Sequence, residues 1–287
     1  MGKAWKSAGL AFVNLLVIAC FIAVTQGWLQ KHLGWSGAAV LAVLCFVLYV
    51  GTCKLIERRE PTELAAGRAL PELGTGLVAG LLLFSLLMGI LWVTGTYHPA
   101  GLSGATQQVA KGFVLALFAG ILEELLFRGL LFRMFSALFG TWGALGLTSA
   151  LFGAGHLANR GATLTSGIAI ALEAGLLLGS AYAATRRLWV PIGLHIGWNF
   201  TEGSIFGMSV SGGVMEPGLI RGTLAGQDVL TGGAFGPEAS IVAVLLGLGL
   251  SIYFMRRVVK QRLAEPPMWR RTKTALPEAQ AAEPMAS

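Results

Sequence analysis

Eight runs of about 20 mostly apolar residues restrict the fold of this chain more than any other feature. They cover residues 8–28, 35–53, 74–96, 109–135, 141–157, 164–184, 188–207 and 238–256. Each run is about the length of an α-helix that crosses the hydrocarbon core of a bilayer. Because lipid cannot satisfy exposed backbone polar groups, such runs must form helices. The sequence therefore predicts an all-α, polytopic membrane protein with about eight transmembrane helices.

The composition agrees with this prediction. Only 12% of the 287 residues are charged, about half of what a soluble domain carries. The 40 glycines favour closely packed helices, since small residues let helix backbones approach each other in lipid. The three cysteines lack the paired spacing of a disulfide framework or a thiolate metal site, so we interpret them as small apolar residues.

The positive charges lie mainly on one side of the predicted helices. With the N-terminus inside, 17 of the 21 Lys and Arg residues fall on the cytoplasmic side, and four fall outside: Lys31, Lys111, Arg160 and Arg221. This asymmetry is typical of multi-span membrane proteins and predicts that both termini are cytoplasmic. It also explains the net charge of +7 without a nucleic-acid partner.

The runs divide the chain into one domain and a tail. Residues 1–262 form a single predicted transmembrane domain, whose polar motifs fall within about 109–207. Residues 263–287 are rich in Pro, Ala and Glu without periodicity, which predicts a disordered cytoplasmic tail. The Gly-rich segment 208–237 either caps the helices or dips between them, and the pattern does not decide which.

Ionisable residues inside a membrane span are costly and need a partner or a function. The fourth run contains Glu123, Glu124 and Arg128 within six positions. Glu124 and Arg128 are four residues apart, so they lie on one helix face and are expected to form an ion pair. Glu123 is rotated by about 100° from Glu124, which leaves it free to face a cavity.

Two further runs carry polar pairs at helical spacing. The fifth run contains Phe152 and His156, and the seventh contains His195 and Asn199. Members of each pair are four residues apart and share a helix face. A single buried histidine is usually a satisfied core residue. Polar groups on three helices, however, are most simply satisfied if they converge on one water-containing pocket.

Such a pocket suits hydrolysis. A desolvated carboxylate beside a second one can take a proton from water near neutral pH. We therefore expect Glu123 to act on water with the help of His156. His195 and Asn199 add hydrogen-bond donors that can stabilise the oxyanion of a tetrahedral intermediate. This chemistry needs no Ser or Cys nucleophile.

These motifs resemble those of the CPBP family of intramembrane proteases, which includes CAAX proteases and bacteriocin-processing enzymes and is also called the Abi family. The resemblance rests on Glu123-Glu124 to Arg128, Phe152 to His156, and His195 to Asn199, in this order, and runs from about residue 120 to residue 206. It implies an eight-helix membrane fold with a polar cavity. It further implies that Glu123 and His156 activate water, that His195 and Asn199 form the oxyanion site, and that Glu124 and Arg128 support them.

The use of a metal is left open by the sequence. Glu123, His156 and His195 would supply the three ligands of a catalytic zinc with one open position. The same residues also suit a metal-free site, and the absence of the HExxH pattern favours that alternative. The cofactor is therefore either none or a divalent metal such as zinc.

We predict an intramembrane endopeptidase that contacts membrane lipid and a peptide or membrane-protein substrate. The composition and short loops favour a bacterial cytoplasmic membrane. The alternatives are a proton-coupled transporter and a non-catalytic immunity or scaffold protein, each using the same polar cluster. Among the other acids, Glu173 is expected to line the cavity or pair with an Arg, whereas Glu202 and Glu238 are expected to be solvated.

Overall fold

The computed structural model describes residues 2–213 and 217–271. Its α-helices are α1 (Gly2–Leu33), α2 (Ser36–Leu55), α3 (Ala69–Val93), α4 (Thr106–Glu124), α5 (Arg133–His156), α6 (Leu164–Ile170), α7 (Leu176–Thr185), α8 (Trp189–Phe200), α9 (Asp228–Thr231) and α10 (Ile241–Lys260). Short 3₁₀ turns cover Thr62–Leu64, Ala66–Arg68, Pro237–Ala239 and Met268–Arg270. The predicted helical class is confirmed.

Five helical stretches of the described chain are long and apolar enough to cross a membrane. They are Ala4–Leu33, Ser36–Leu55, Thr62–Val93, Leu164–Thr185 and Ile241–Lys260. Large apolar side chains on these stretches are exposed, as at Val24 and Leu82, which suits contact with lipid. The count of eight spans and the cytoplasmic position of both termini stay predictions.

Three π-helical segments interrupt or extend the α-helices. Leu125–Phe132 joins α4 to α5, Ala171–Gly175 joins α6 to α7, and Thr201–Ile205 extends α8. A π-helical turn holds more residues than an α-helical turn, and such turns are frequent at functional sites. Each of the three segments contains a buried glutamate or directly follows one.

Helix α3 packs against α8 through glycines on both helices. A Cβ atom added at Gly76 or Gly80 would lie 2.2 or 2.3 Å from a carbonyl oxygen of α8, and one added at Gly193 or Gly197 would lie 2.2 Å from a carbonyl oxygen of α3. Only glycine allows two helix backbones to approach this closely. His195 lies between the two α8 glycines, so this contact fixes the position of its backbone.

The helical path from α4 through α5 breaks at Gly140, which has φ 75° and ψ 177°. This break separates the fourth and fifth predicted spans. The chain after α10 fills the break, since the backbone N–H of Thr141 donates to the carbonyl of Glu265 at 3.0 Å and the Glu265 N–H donates to Thr141 Oγ1 at 2.8 Å. Arg186 also pairs with Glu265, at 2.8 Å between Nη1 and Oε1.

The predicted disordered tail therefore does not begin at residue 263. Residues 263–271 dock on the helices, because the backbone at the Gly140 break offers hydrogen bonds to them. Residues 272–287, which the same prediction covers, lie outside the described residues.

The predicted loop 208–237 caps the helices and forms part of a small sheet. Strand β2 (Ile220–Leu224) pairs antiparallel with β1 (Tyr97–Leu102), with an irregular register between Pro99 and Gly101. This two-stranded sheet is the exception to the all-α prediction among the described residues. Phe235, later in the same segment, is buried against Phe152 and Ile170, so the segment covers the ends of α5 and α6.

Candidate active site

A buried ion pair lies at the centre of the site. Arg128 Nη1 donates to Glu124 Oε1 at 2.7 Å, and neither side chain is exposed. Arg128 Nη2 donates to the carbonyl of Gly175 at 3.2 Å, and the guanidinium lies 4.7 Å from the centre of the Phe152 ring. The expected pairing of Glu124 with Arg128 is thus present, and it joins the fourth, fifth and sixth predicted spans.

Helix α8 brings His195 to the same carboxylate. His195 Nδ1 lies 3.0 Å from Glu124 Oε1. Because the Glu124 oxygen that accepts from Arg128 also accepts here, Nδ1 is the donor. This arrangement orients the ring and leaves Nε2 available for other contacts.

Glu123 is the neighbouring acid on α4. Its carboxylate lines a cavity of about 550 Å³, and its buried Oε2 atom has no hydrogen-bond partner among the described residues. His156 and Asn199 line the same cavity. The structure therefore brings together residues from the fourth, fifth and seventh predicted spans, and Glu123 is the acid among them that lines this cavity.

His156 is held by its own helix. Its Nδ1 lies 2.7 Å from the carbonyl oxygen of Phe152, which can only accept, so Nδ1 donates and Nε2 is unprotonated in the neutral ring. The Phe152 ring stacks beside it, with centroids 4.6 Å apart, and also contacts His195, with centroids 6.3 Å apart. Phe152 is therefore a spacer between the two imidazoles.

A smaller chamber lies beneath the large cavity. Its volume is about 20 Å³, and its lining includes His156, His195, Asn199 and Ser211. A polar chamber of this volume has room for about one water molecule. His156, Asn199 and Ser211 line both spaces, so they form the boundary between the chamber and the cavity.

Three further glutamates are buried beside the chamber. Glu173, Glu202 and Glu238 have exposed fractions of 2%, 0% and 3%, and each has a carboxylate oxygen without a hydrogen-bond partner among the described residues. The expectation that Glu202 and Glu238 are solvated is wrong, because the segment 208–237 covers them. Glu173 lines the chamber, which is the first of the two alternatives expected for it, a place in the cavity wall or a pair with an Arg.

The sequence contained a signal that Glu202 and Glu238 belong to a functional site. Glu202 falls inside the seventh predicted span, and Glu238 begins the eighth. A carboxylate at such a position needs an explanation in the same way as Glu123 does.

The site does not fit a metal in the arrangement described. No group of three His, Cys, Asp or Glu side chains within residues 2–213 and 217–271 is placed so that it could hold a metal ion. The proposed reaction therefore uses no metal.

A protein-family model matches the part of the chain that carries this site. Residues 105–201 match the family model described as type II CAAX prenyl endopeptidase Rce1-like. The matched segment includes all six predicted site residues: Glu123, Glu124, Arg128, His156, His195 and Asn199. No curated protein matches the chain.

Proposed function

We propose that this integral membrane protein is a CAAX-type intramembrane protease that hydrolyses a peptide bond in or near the bilayer with water activated by Glu123; the match of residues 105–201 to the Rce1-like family model supports this. The observation that carries this proposal is the shared wall of the cavity. Glu123, His156 and Asn199 line it from three helices, with the Glu124–Arg128–His195 group directly behind.

Glu123 acts as the general base. Its carboxylate, which lines the cavity, accepts a proton from a water molecule, and His156 orients the same water through Nε2. The water oxygen then attacks the carbonyl carbon of the substrate, and the π electrons of the carbonyl move to its oxygen.

His195 and Asn199 stabilise the oxyanion that forms. Asn199 donates through its side-chain amide. In this step His195 carries a hydrogen on both ring nitrogens and donates through Nε2. When the intermediate collapses, the C–N bond breaks and Glu123 transfers its proton to the amine nitrogen. The products are a carboxylic acid and an amine, which become a carboxylate and an ammonium ion when the acid proton moves to the amine, and the enzyme returns to its starting state.

Glu124 and Arg128 are positioning residues in this mechanism. Arg128 neutralises Glu124, and Glu124 holds His195 in one tautomer and one orientation. Such support of a reacting group is needed because loss of geometry by about 1 Å can reduce a rate by about 100-fold.

The remaining parts of the proposal concern the setting. The substrate is a peptide or membrane protein that approaches from the lipid or from one membrane face. Residues 1–262 act as one transmembrane domain, and the bacterial cytoplasmic membrane remains the favoured location on composition. A transporter and a non-catalytic immunity or scaffold protein are not favoured, since the matched family is one of proteases.

Replacing Glu123 with Gln tests the proposal. The variant removes the proton acceptor but keeps the size of the side chain, so we expect folded protein with cleavage of membrane peptides reduced by at least about 100-fold. Glu60→Gln is the matched control, because the Glu60 side chain is 74% exposed and pairs with Lys54 far from the cavity. Full cleavage by Glu123→Gln would overturn the proposal.

The same assay with a chelator tests the metal-free form. Because the described His and Glu side chains do not form a metal site, we expect cleavage by the purified protein to be unchanged in chelator. Loss of cleavage that returns when zinc is added would show that the site rearranges around a metal.

A further inference from the structure

A polar network connects the N-terminal helices to the helix that carries the site. It contains Tyr49 from α2, Glu57 and Arg59 from the connector after α2, Glu63 from the following 3₁₀ turn, and Arg133 at the start of α5. Four of these five residues lie outside the segment that matches the family model. We call this set the N-terminal network.

Glu57 is the first junction of the network. Arg59 Nε donates to Glu57 Oε2 at 2.8 Å, Asn14 of α1 donates to Oε1 at 2.8 Å, and Arg133 also forms an ion pair with this carboxylate. Burial opposes ionisation of Glu57, but the hydrogen bonds and charges of Arg133 and Arg59 lower its pKa to about 2. Glu57 is therefore a fixed negative charge that joins α1, α2 and α5.

Glu63 is the second junction. Arg59 donates to both of its oxygens, at 2.7 and 2.9 Å, and the Tyr49 hydroxyl forms a hydrogen bond with Oε1. Glu63 and Tyr49 are buried. A two-point Arg–carboxylate contact fixes orientation as well as distance, so Tyr49 has a defined position.

Both junctions end at the carbonyl oxygen of Gly129. Arg133 Nη1 donates to this oxygen at 2.9 Å, and the Tyr49 hydroxyl lies 3.0 Å from it. The Tyr49 ring also packs directly on Gly129, since a Cβ atom there would lie 2.9 Å from the hydroxyl oxygen. The tyrosine has one hydrogen to donate, so Arg133 satisfies the carbonyl whenever Tyr49 donates to Glu63.

Gly129 follows Arg128 directly within the π-helical segment Leu125–Phe132. A π-helical turn closes its hydrogen bonds five residues apart instead of four and is rare in proteins. The network thus holds the backbone one residue away from the side chain that pairs with Glu124.

We propose that Tyr49, Glu57, Glu63 and Arg133 are positioning residues for the active site. They fix the π-helical segment so that Arg128 holds Glu124 against His195. This role rests on the proposed function for its catalytic part, and it gives α1 and α2 a task in the reaction although they contribute no residue to the cavity lined by Glu123.

The test uses two conservative variants with matched controls. Tyr49→Phe removes one hydroxyl and keeps the ring against Gly129; its control is Tyr253→Phe, which changes a residue that is 57% exposed. Glu57→Gln removes the first junction, and Glu60→Gln on the same connector is its control. The full-length chain is purified in detergent, and kcat, KM, Tm and the ring nitrogen chemical shifts of His195 are measured. His195→Gln assigns those signals.

We expect Tyr49→Phe and Glu57→Gln to lower kcat by about 10-fold, less than a full 1 Å misplacement would cause, with KM unchanged. We also expect the His195 signals to move, while both controls match the unmodified protein. Variants that are folded but have unchanged kcat and unchanged His195 signals would overturn the proposal. A lowered Tm with unmoved His195 signals would also overturn it, since the network would then be merely structural.

The chemical shifts separate this proposal from the proposed function. If the protein cleaves no peptide but the His195 signals move in both variants, the coupling stands and the assigned reaction fails. If Glu123→Gln abolishes cleavage while Tyr49→Phe and Glu57→Gln leave the His195 signals and kcat unchanged, the reaction stands and the coupling fails.

Discussion

Glu123 and Glu124 are adjacent in the chain, but their carboxylates have different surroundings. Glu124 is fully buried, with Arg128 and His195 as partners. Glu123 is partly buried and lines the cavity. The rotation of about 100° per residue in a helix produces this difference, and the proposed mechanism uses one acid for support and the other for chemistry.

The buried pair should be sensitive to the loss of one partner. We expect Glu124→Leu to lower the free energy of unfolding by about 3–5 kcal/mol, because Arg128 is then left buried without a counter-charge. The double variant Glu124→Leu with Arg128→Met should lose less free energy of unfolding than Glu124→Leu alone, since no unpaired charge remains. Denaturant unfolding in detergent measures both.

Glu60→Leu is the control for that measurement, because its partner Lys54 is 51% exposed and exposed pairs contribute at most about 1 kcal/mol. An equal loss of stability in Glu60→Leu and Glu124→Leu would contradict the role of the buried pair.

Residue spacing predicted the ion pair and the meeting of three polar motifs, because positions four apart share a helix face wherever the helix is placed. Spacing could not predict that Glu202 and Glu238 are buried. Their burial depends on the segment 208–237, whose path follows from glycine turns and a strand pair distant in sequence rather than from any period.

At the scale of elements, the contact between α3 and α8 controls where His195 lies. A Cβ atom at Gly193 would lie 2.2 Å from the carbonyl oxygen of Leu73, so a larger residue must push the helices apart. We expect Gly193→Ala to lower the free energy of unfolding by about 1–3 kcal/mol and to reduce cleavage, because α8 shifts and the position of His195 relative to Glu124 changes.

The matched control is Gly89→Ala, which adds a methyl group to α3 at a position with nothing within 4 Å. It should be neutral or slightly stabilising, since alanine is the better helix former. Thermal unfolding and peptide cleavage of the two variants, measured side by side, check this expectation. Equal behaviour would mean that the close approach of α3 and α8 is unimportant.

The π-helical segments could not be predicted from the sequence. Apolar residues recur in Leu125–Phe132 as they do in an α-helix, and the pattern does not reveal an extra residue in a turn. The widened turn still matters for the site, since it places Arg128 within reach of both Glu124 and the carbonyl of Gly175.

At the scale of the whole molecule, Glu57 links the stability of the N-terminal helices to pH. Its pKa is lowered from 4.5 to about 2 despite burial, chiefly by Arg133 and Arg59. A lowered pKa contributes stability that is complete above about pH 4.5 and is lost as the pH falls towards 2. We expect this contribution to be at most about 3 kcal/mol.

Unfolding of the unmodified protein and of Glu57→Gln should therefore converge as the pH falls from about 6 to about 2. The variant should be less stable near neutral pH and less dependent on pH in the acid range. Parallel stability curves over this range would show that Glu57 titrates alike in the folded and unfolded chains.

The helical architecture could be predicted from the sequence because an apolar run that crosses a bilayer must form a helix of known length. Contacts between those helices did not follow, since they depend on where each helix starts relative to its neighbours. The docking of residues 263–271 at Gly140 and the pairing of β1 with β2 are of this kind, because both join positions more than 100 residues apart.

The cavity extends along one face of α4 from Gln108 to Glu123. Fifteen residues of helix rise by about 22 Å, which an extended peptide of about six or seven residues would span. In the proposed reaction, the length of extended chain beside the scissile bond would then help to decide which substrates are cut, before any side chain is recognised.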